Sequence, residues 1–158
     1  MLKKLWIIAL AGFSVGGSAG TERRYAEDLL AALVCAECSV CSEDEKQAVA
    51  ASAIHRARSR HPRRLEAVIL APYQYADLAH CKEEGRARRR MLPAARLALQ
   101  GADPADGATH FHARWTCTAR PWACHHQTTS TCEDTVWPRL REVAVPDTFR
   151  HRFYRVWP

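Results

Sequence analysis

The fold is decided by residues 25–37, which read Tyr-Ala-Glu-Asp-Leu-Leu-Ala-Ala-Leu-Val-Cys-Ala-Glu. Apolar residues recur in this run at the spacing of one helix face, at Leu29, Leu30, Leu33 and Val34. Glu37 continues that face, because it lies three residues after Val34 and four after Leu33. The pattern predicts an amphipathic helix that turns an acid towards the interior or a cleft.

The position of Glu37 suggests a catalytic acid. Desolvation disfavours a carboxylate, so we expect burial to raise the pKa of this side chain towards neutrality. A carboxylic acid that stays protonated near neutral pH can donate a proton to a leaving group, which is glycosidase chemistry. The structural alternative is a helix-end acid that an Arg side chain or a backbone amide satisfies. Position alone leaves both interpretations open.

The N-terminal segment has the order of a secretory signal. Lys3 and Lys4 precede an apolar stretch from Leu5 to Val15, and small residues follow up to Ala19. We expect cleavage after Ala19 (signal 1–19), which leaves residues 20–158 as a single domain. The protein would then be exported to the periplasm, the cell envelope or the extracellular space. An uncleaved anchor is the alternative, but the stretch is shorter than the ~20 residues of a membrane span.

The net charge limits the partners. The chain of 158 residues carries a formal charge of +6, and basic exported proteins often act on polyanions such as the bacterial envelope. Nucleic acid is not expected as a partner, because the basic residues are scattered and no recognition motif accompanies them. The one run, Arg88-Arg89-Arg90, is interpreted as the solvated start of a helix. No segment after the signal is apolar enough to cross a bilayer, so no stable membrane span is expected.

Seven cysteines in an exported chain predict disulfides. They are Cys35, Cys38, Cys41, Cys81, Cys117, Cys124 and Cys132. An odd number leaves at least one thiol free or paired with another molecule. We expect bridges to hold the segment 117–132 to itself, to Cys81 or to the first helix, and sequence does not give the connectivity.

Zinc binding is an alternative use of the same residues. The pattern Cys38-x-x-Cys41 is accompanied by a cluster of histidines between positions 110 and 151, at His110, His112, His125, His126 and His151. The sequence has no separate second Cys-x-x-Cys, since Cys35-x-x-Cys38 shares Cys38 with the first, and it has no His-Glu-x-x-His motif. An oxidising compartment favours disulfides over thiolate ligands, so we expect no metal and no other cofactor.

Capping and breaking residues predict three more helices. Ser42 and Glu45 form a capping box for a helix from about Glu43 to Arg60, so the acids at 43–45 are interpreted as capping and surface groups. A short third helix at Leu65–Ile69 stops before Pro72. A fourth helix should run from about Leu92 to Gln100, with Pro93 in its first turn and Gly101 closing it.

A turn and two extended segments follow the helices. Asp103-Pro-Ala-Asp-Gly107 has turn chemistry. Residues 109–115 alternate like a strand, with His110 and His112 on one side and Phe111 on the other. The tail from Val143 to Val156 is a candidate to pair with this strand. The predicted fold class is mainly α (α+β), with a small β or irregular part and disulfide stabilisation.

Five blocks of sequence, in this order and spacing, resemble a known family. They are Glu37 with Gln47-Ala-Val-Ala-Ala-Ser-Ala-Ile-His-Arg56, then Tyr73-Gln-Tyr75, Gly107-Ala-Thr-His-Phe-His112, Pro121-Trp122 and His151-Arg-Phe-Tyr154. The family is that of the cell wall hydrolases typified by the spore cortex-lytic enzyme SleB. The chain departs from it around the acid, where Cys41 stands in place of the family's second Glu.

The resemblance implies a lysozyme-like helical domain that cleaves the MurNAc–GlcNAc bond of peptidoglycan as lytic transglycosylases do. Glu37 would be the single general acid and base, and glycan strands would be the partner. The substrate-binding candidates are Tyr73, Gln74, Tyr75, His110, Phe111, His112, His151 and Tyr154. The alternatives are a hydrolase of the same polymer that uses water, a non-catalytic peptidoglycan-binding or envelope protein with a degenerate hydrolase fold, and a small zinc protein.

Overall fold

The computed structural model describes residues 19–59, 63–71, 75, 78–79, 81, 85–113 and 140–156. The elements are α1 (Ala19–Cys38), α2 (Glu43–Ser59), α3 (Leu65–Ile69), α4 (Gly85–Leu99), β1 (His110–Ala113), β2 (Leu140–Val143) and β3 (His151–Val156). This composition confirms a mainly α fold with a small sheet. None of the described helices is both long enough and apolar enough to cross a membrane.

The three long helices pack against one another, with α1, α2 and α4 each in contact with the other two. The predicted face of α1 is buried, since Leu30, Leu33 and Val34 are fully enclosed. Helix α2 contributes small side chains such as Ala48 and Ala53, which allow its neighbours a close approach. The core therefore lies along the end of α1 that carries Glu37.

Helix α4 corrects the prediction for the fourth helix. It begins at Gly85 instead of Leu92, so Pro93 lies inside the helix and not in its first turn. Proline there removes one backbone hydrogen bond. Burial of a continuous face outweighs that loss. The face consists of Met91, Ala94, Ala95 and Ala98.

The end of α4 agrees with the sequence. Gly101 has a positive φ of 103°, a conformation that glycine adopts without a Cβ penalty. Its N–H donates to the Ala98 carbonyl at 3.0 Å, and the Ala102 N–H donates to the Leu97 carbonyl at 2.9 Å. These two bonds form a Schellman motif, which turns the chain towards β1.

The sheet has the order β1-β3-β2, and both pairings are antiparallel. Phe111 of β1 lies opposite Phe153 of β3, and His110 lies opposite Tyr154. The expected pairing of the segment 109–115 with the tail is confirmed over His110–Ala113.

Two disulfides stabilise the helical part. Cys35 is bonded to Cys81, and Cys38 is bonded to Cys41. A disulfide-stabilised fold is therefore confirmed, with Cys81 bonded to the first helix. The cysteines of the segment 117–132 lie outside the described residues.

Candidate functional site

Glu37 occupies the last turn of α1, one residue before the helix ends at Cys38. It is half-buried, whereas Leu33 and Val34 one turn earlier are completely buried. The apolar face of α1 therefore reaches the edge of the core at Glu37. The raised pKa of this carboxyl stays a prediction.

The turn between α1 and α2 is held by a disulfide and by hydrogen bonds. The Cys38–Cys41 disulfide spans it, and the Cys41 N–H donates to the Cys38 carbonyl at 3.2 Å. Ser42 caps α2, since its Oγ accepts from the Glu45 N–H at 3.3 Å. The backbone after Glu37 is thus fixed on both sides of the turn.

The side chain of Glu45 corrects two sequence interpretations. It does not complete the capping box, and it is not a surface acid, because Glu45 is only 1% exposed. Its Oε1 instead accepts hydrogen bonds from the Arg150 N–H at 2.6 Å and the His151 N–H at 2.8 Å. Position 45 lies three and four residues before the buried Ala48 and Val49, so the spacing that singled out Glu37 could have identified Glu45 as well.

The ring of His151 makes the third hydrogen bond to Glu45. A carboxylate can only accept, so Nδ1–H of His151 donates to Glu45 Oε1, at 2.8 Å. The same Nδ1 lies 3.8 Å from Cys38 Sγ. His151 is buried, and it connects the first residue of β3 to the junction that follows Glu37.

Aromatic rings extend from His151 across one face of the sheet. Phe111 packs edge-on against the His151 ring at a centroid distance of 5.4 Å. Phe153 and Tyr75 lie 5.8 Å and 5.9 Å from Phe111. Tyr75 and Phe111 are half-buried, so part of each residue is accessible. Of the predicted binding residues, the structure brings together Tyr75, Phe111 and His151.

The other predicted binding residues of β1 and β3 lie on the opposite face, because side chains alternate along a strand. The rings of His112 and Tyr154 stack at 5.2 Å, and His112 Nε2 lies 2.8 Å from the Tyr154 hydroxyl. Burial lowers the pKa of His112, so the neutral ring accepts from that hydroxyl while Nδ1–H donates to the Ala113 carbonyl. His110 Nδ1 lies 2.8 Å from the Thr109 hydroxyl.

The predicted substrate-binding residues are therefore divided between the two faces of the sheet. Tyr154 is buried, whereas His110 and His112 are half-buried on the same face of the sheet. Tyr73 and Gln74 lie outside the described residues.

The turn before β1 is held to α2 by a residue that sequence reasoning did not place in the site. Asp103 Oδ2 accepts from the Gly107 N–H at 2.6 Å and pairs with His55 Nε2 at 2.9 Å. Gly107 has a φ of 76°, which permits the chain reversal into β1. The His55–Asp103 pair therefore fixes the start of the strand that carries Phe111.

Glu27 is a buried acid of α1, and its role is structural. It pairs with Arg96 of α4 at 2.9 Å and with Arg23 at 3.2 Å. The Arg96 hydrogen bond holds the pKa of Glu27 below its ordinary value. Glu27 therefore remains an anion that links α1 to α4.

A comparison with protein families identifies the class. The model of the family described as Cell Wall Hydrolase matches residues 42–137, more than half of the chain. The chain belongs to this cell wall hydrolase family, so the resemblance drawn from its sequence blocks is confirmed, and peptidoglycan is the substrate that the family implies. No curated protein and no solved structure matches the chain.

The matched range covers α2, α3, α4 and β1 but excludes three of the site residues. It begins after Glu37 and ends before His151 and Tyr154. Family membership therefore defines the general class of the protein, while the assignment of the acid depends on the geometry at the α1–α2 junction.

Proposed function

We propose that this protein cleaves the MurNAc–GlcNAc bond of peptidoglycan as a lytic transglycosylase, with Glu37 as the single general acid and base. Membership of the cell wall hydrolase family supports the polymer. The observation that carries the assignment of Glu37 is its half-buried position in the last turn of α1, next to a rigid junction. Such a position is partly desolvated but still accessible to a substrate.

Two buried acids, Glu45 and Glu27, serve the fold as hydrogen-bond acceptors and ion-pair partners. Glu45 Oε1 accepts three hydrogen bonds, and Glu27 is paired with two arginines. Hydrolysis with two carboxylates requires a second acid about 5 to 9 Å from the first. Our proposal uses a single acid instead.

In the proposed reaction Glu37 first protonates the bridging oxygen as the glycosidic bond breaks. The resulting carboxylate then accepts the proton of the C6 hydroxyl of the same muramyl sugar. The C6 oxygen bonds to C1, which gives a 1,6-anhydro product without consuming water. One carboxyl group that changes role in this way is sufficient for the reaction.

The accessible parts of Tyr75 and Phe111 are the groups proposed to contact the sugar rings. Aromatic faces in pockets commonly pack against the apolar sides of ligands. Phe111 also contacts His151, whose Nδ1 lies 3.8 Å from the sulfur of Cys38, the residue after Glu37. A glycan on these rings would therefore lie near the end of α1.

Export is part of the proposal, because peptidoglycan lies outside the cytoplasmic membrane. The charged, apolar and small-residue order of residues 1–19 is typical of a secretory signal. The mature protein would act in the periplasm, the cell envelope or the extracellular space.

The reaction is tested with oxidised protein, purified sacculi and mass spectrometry of the released fragments. We expect muropeptides with anhydro-muramic ends. Reducing muramic ends would show that water is the acceptor and would overturn the transglycosylase step alone. Sedimentation of the protein with sacculi and no released fragment would favour a non-catalytic wall-binding protein.

A further inference from the structure

A buried cluster of potential metal ligands lies where α1, α2 and β3 meet. The four residues are Cys38, Cys41, Glu45 and His151, and one donor atom from each lies within 4.8 Å of the others. We propose that these four side chains form a Zn²⁺ site when the Cys38–Cys41 disulfide is reduced. The inference does not depend on the proposed reaction.

The donor set selects the type of ion. Two cysteine sulfurs, one imidazole nitrogen and one carboxylate oxygen make four ligands of the types that tetrahedral Zn²⁺ takes in proteins. Ca²⁺ and Mg²⁺ prefer sites made of oxygen ligands, and iron–sulfur clusters are held mainly by cysteines. The Cys-x-x-Cys spacing of Cys38 and Cys41 is also the one common in structural zinc sites.

A second observation concerns the carboxylate itself. Glu45 Oε1 takes all three hydrogen bonds of this side chain, while Oε2 is buried and has no hydrogen-bond partner among the described residues. A buried carboxylate oxygen without a partner costs free energy. A cation bound through Glu45 would compensate its charge.

The imidazole is already placed among the other ligands. His151 Nδ1 lies 2.8 Å from Glu45 Oε1 and 3.8 Å from Cys38 Sγ. In the disulfide form this nitrogen carries the proton that it donates to Glu45. Zn²⁺ would displace that proton, because a metal-bound imidazole nitrogen must be deprotonated.

The change from disulfide to zinc site balances with a dithiol as reductant. The dithiol supplies two electrons and two protons, becomes a disulfide itself, and leaves Cys38 and Cys41 as thiols. Zn²⁺ then bonds to the two sulfurs and releases their two protons, and it bonds to Nδ1 of His151 in the tautomer whose proton has moved to Nε2. The junction after Glu37 would thus be closed by a disulfide under oxidising conditions and by a metal under reducing conditions.

The first test uses the wild-type full chain, reduced with a phosphine without oxygen and freed of metal. Alkylation of each cysteine by iodoacetamide is followed by peptide mass spectrometry, with and without one equivalent of Zn²⁺. We expect Zn²⁺ to slow alkylation of Cys38 and Cys41 by at least about tenfold and to leave Cys35 and Cys81 unchanged. Equal rates with and without Zn²⁺ at Cys38 and Cys41 would overturn the proposal.

A second test locates the ion with Co²⁺, whose thiolate charge-transfer and tetrahedral d–d bands report sulfur ligands. The double variant Cys38→Ser/Cys41→Ser is compared with Cys35→Ser/Cys81→Ser, which removes the other bridge and leaves the cluster intact. We expect the bands in reduced wild type and in the control, and their loss in the first variant. Bands that persist in the first variant would place the metal elsewhere and refute the site. If that variant is unfolded by circular dichroism, the alkylation result decides.

Discussion

Nδ1 of His151 donates a hydrogen bond of 2.8 Å to Oε1 of Glu45, and both side chains are almost completely buried. This contact joins the first turn of α2 to the first residue of β3. Because α1 ends at the same junction, the Glu45–His151 pair lies where the helices, the sheet and Cys38, the residue after Glu37, meet. A single carboxylate thus organises the region around the proposed acid.

Replacing Glu45 with Gln should destabilise the fold. The amide oxygen keeps an acceptor but loses the charge that strengthens three hydrogen bonds, so we expect the free energy of unfolding to fall by about 2 kcal/mol. Urea denaturation of the variant and the wild type measures this free energy. Glu43→Gln is the matched control, since Glu43 is exposed and pairs only with Lys46 among the described contacts. Equal stability of the two variants would contradict the role of Glu45.

The Cys35–Cys81 bridge should contribute more stability than the Cys38–Cys41 bridge. It closes a loop with a sequence separation of 46 instead of 3, and the loss of unfolded-state entropy grows with loop length. We expect Cys35→Ala/Cys81→Ala to lower the free energy of unfolding by about 4 kcal/mol and Cys38→Ala/Cys41→Ala by about half as much. Thermal unfolding of both variants in oxidising buffer checks the order, and the reverse order would refute it.

Low pH should weaken the ion pair between Glu27 and Arg96, which links α1 to α4. Because Arg96 and Arg23 lower the pKa of Glu27, its contribution is complete above its unfolded value of about 4.5 and is lost as the pH falls through the lower folded value. The stability difference between wild type and Glu27→Gln should therefore be largest near neutral pH and vanish in strong acid. A difference that stays constant with pH would contradict this origin.

His112 should make the free energy of unfolding depend on pH in a second range, which lies at higher pH than that of Glu27. Burial lowers the pKa of His112 from 6.5. As the pH falls, this side chain is therefore protonated at a higher pH in the unfolded chain than in the folded chain. The stabilising effect is present above pH 6.5 and is lost as the pH falls towards the folded value. In His112→Gln this part of the stability–pH profile should disappear. The profile from urea denaturation checks the prediction, and an unchanged slope below pH 6.5 would contradict it.

The sequence predicted the helices best where apolar spacing, caps and breakers agreed. For α1 the spacing of Leu30, Leu33 and Val34 gave the buried face. Gly101 marked where α4 ends. The prediction from Pro93 was wrong about the start of α4. Proline is favoured in the first turn of a helix, but the buried face of α4 continues on both sides of Pro93. The residue at which α4 begins depends on tertiary packing, which the local sequence pattern does not indicate.

The candidate site was predicted less completely than the fold. The sequence predicts Glu37, Phe111 and His151 as site residues, but its capping pattern at residues 42–45 indicates a surface acid at Glu45, because capping residues are usually exposed. Its real partners are the backbone and ring of residues 150–151, which are more than 100 positions away. Contacts over such a separation are not encoded in local spacing, so the cluster around Glu45 became visible only in the folded chain.

The rate of glycan release by Glu37→Gln tests the central claim most directly. The variant keeps the shape of the side chain and removes its proton, and Glu66→Gln, a change at an exposed acid, is the matched control. On purified sacculi we predict that Glu66→Gln releases anhydro-muropeptides at the wild-type rate, while Glu37→Gln is slower by a factor of about 100 or more. Release by Glu37→Gln at the wild-type rate would contradict the account.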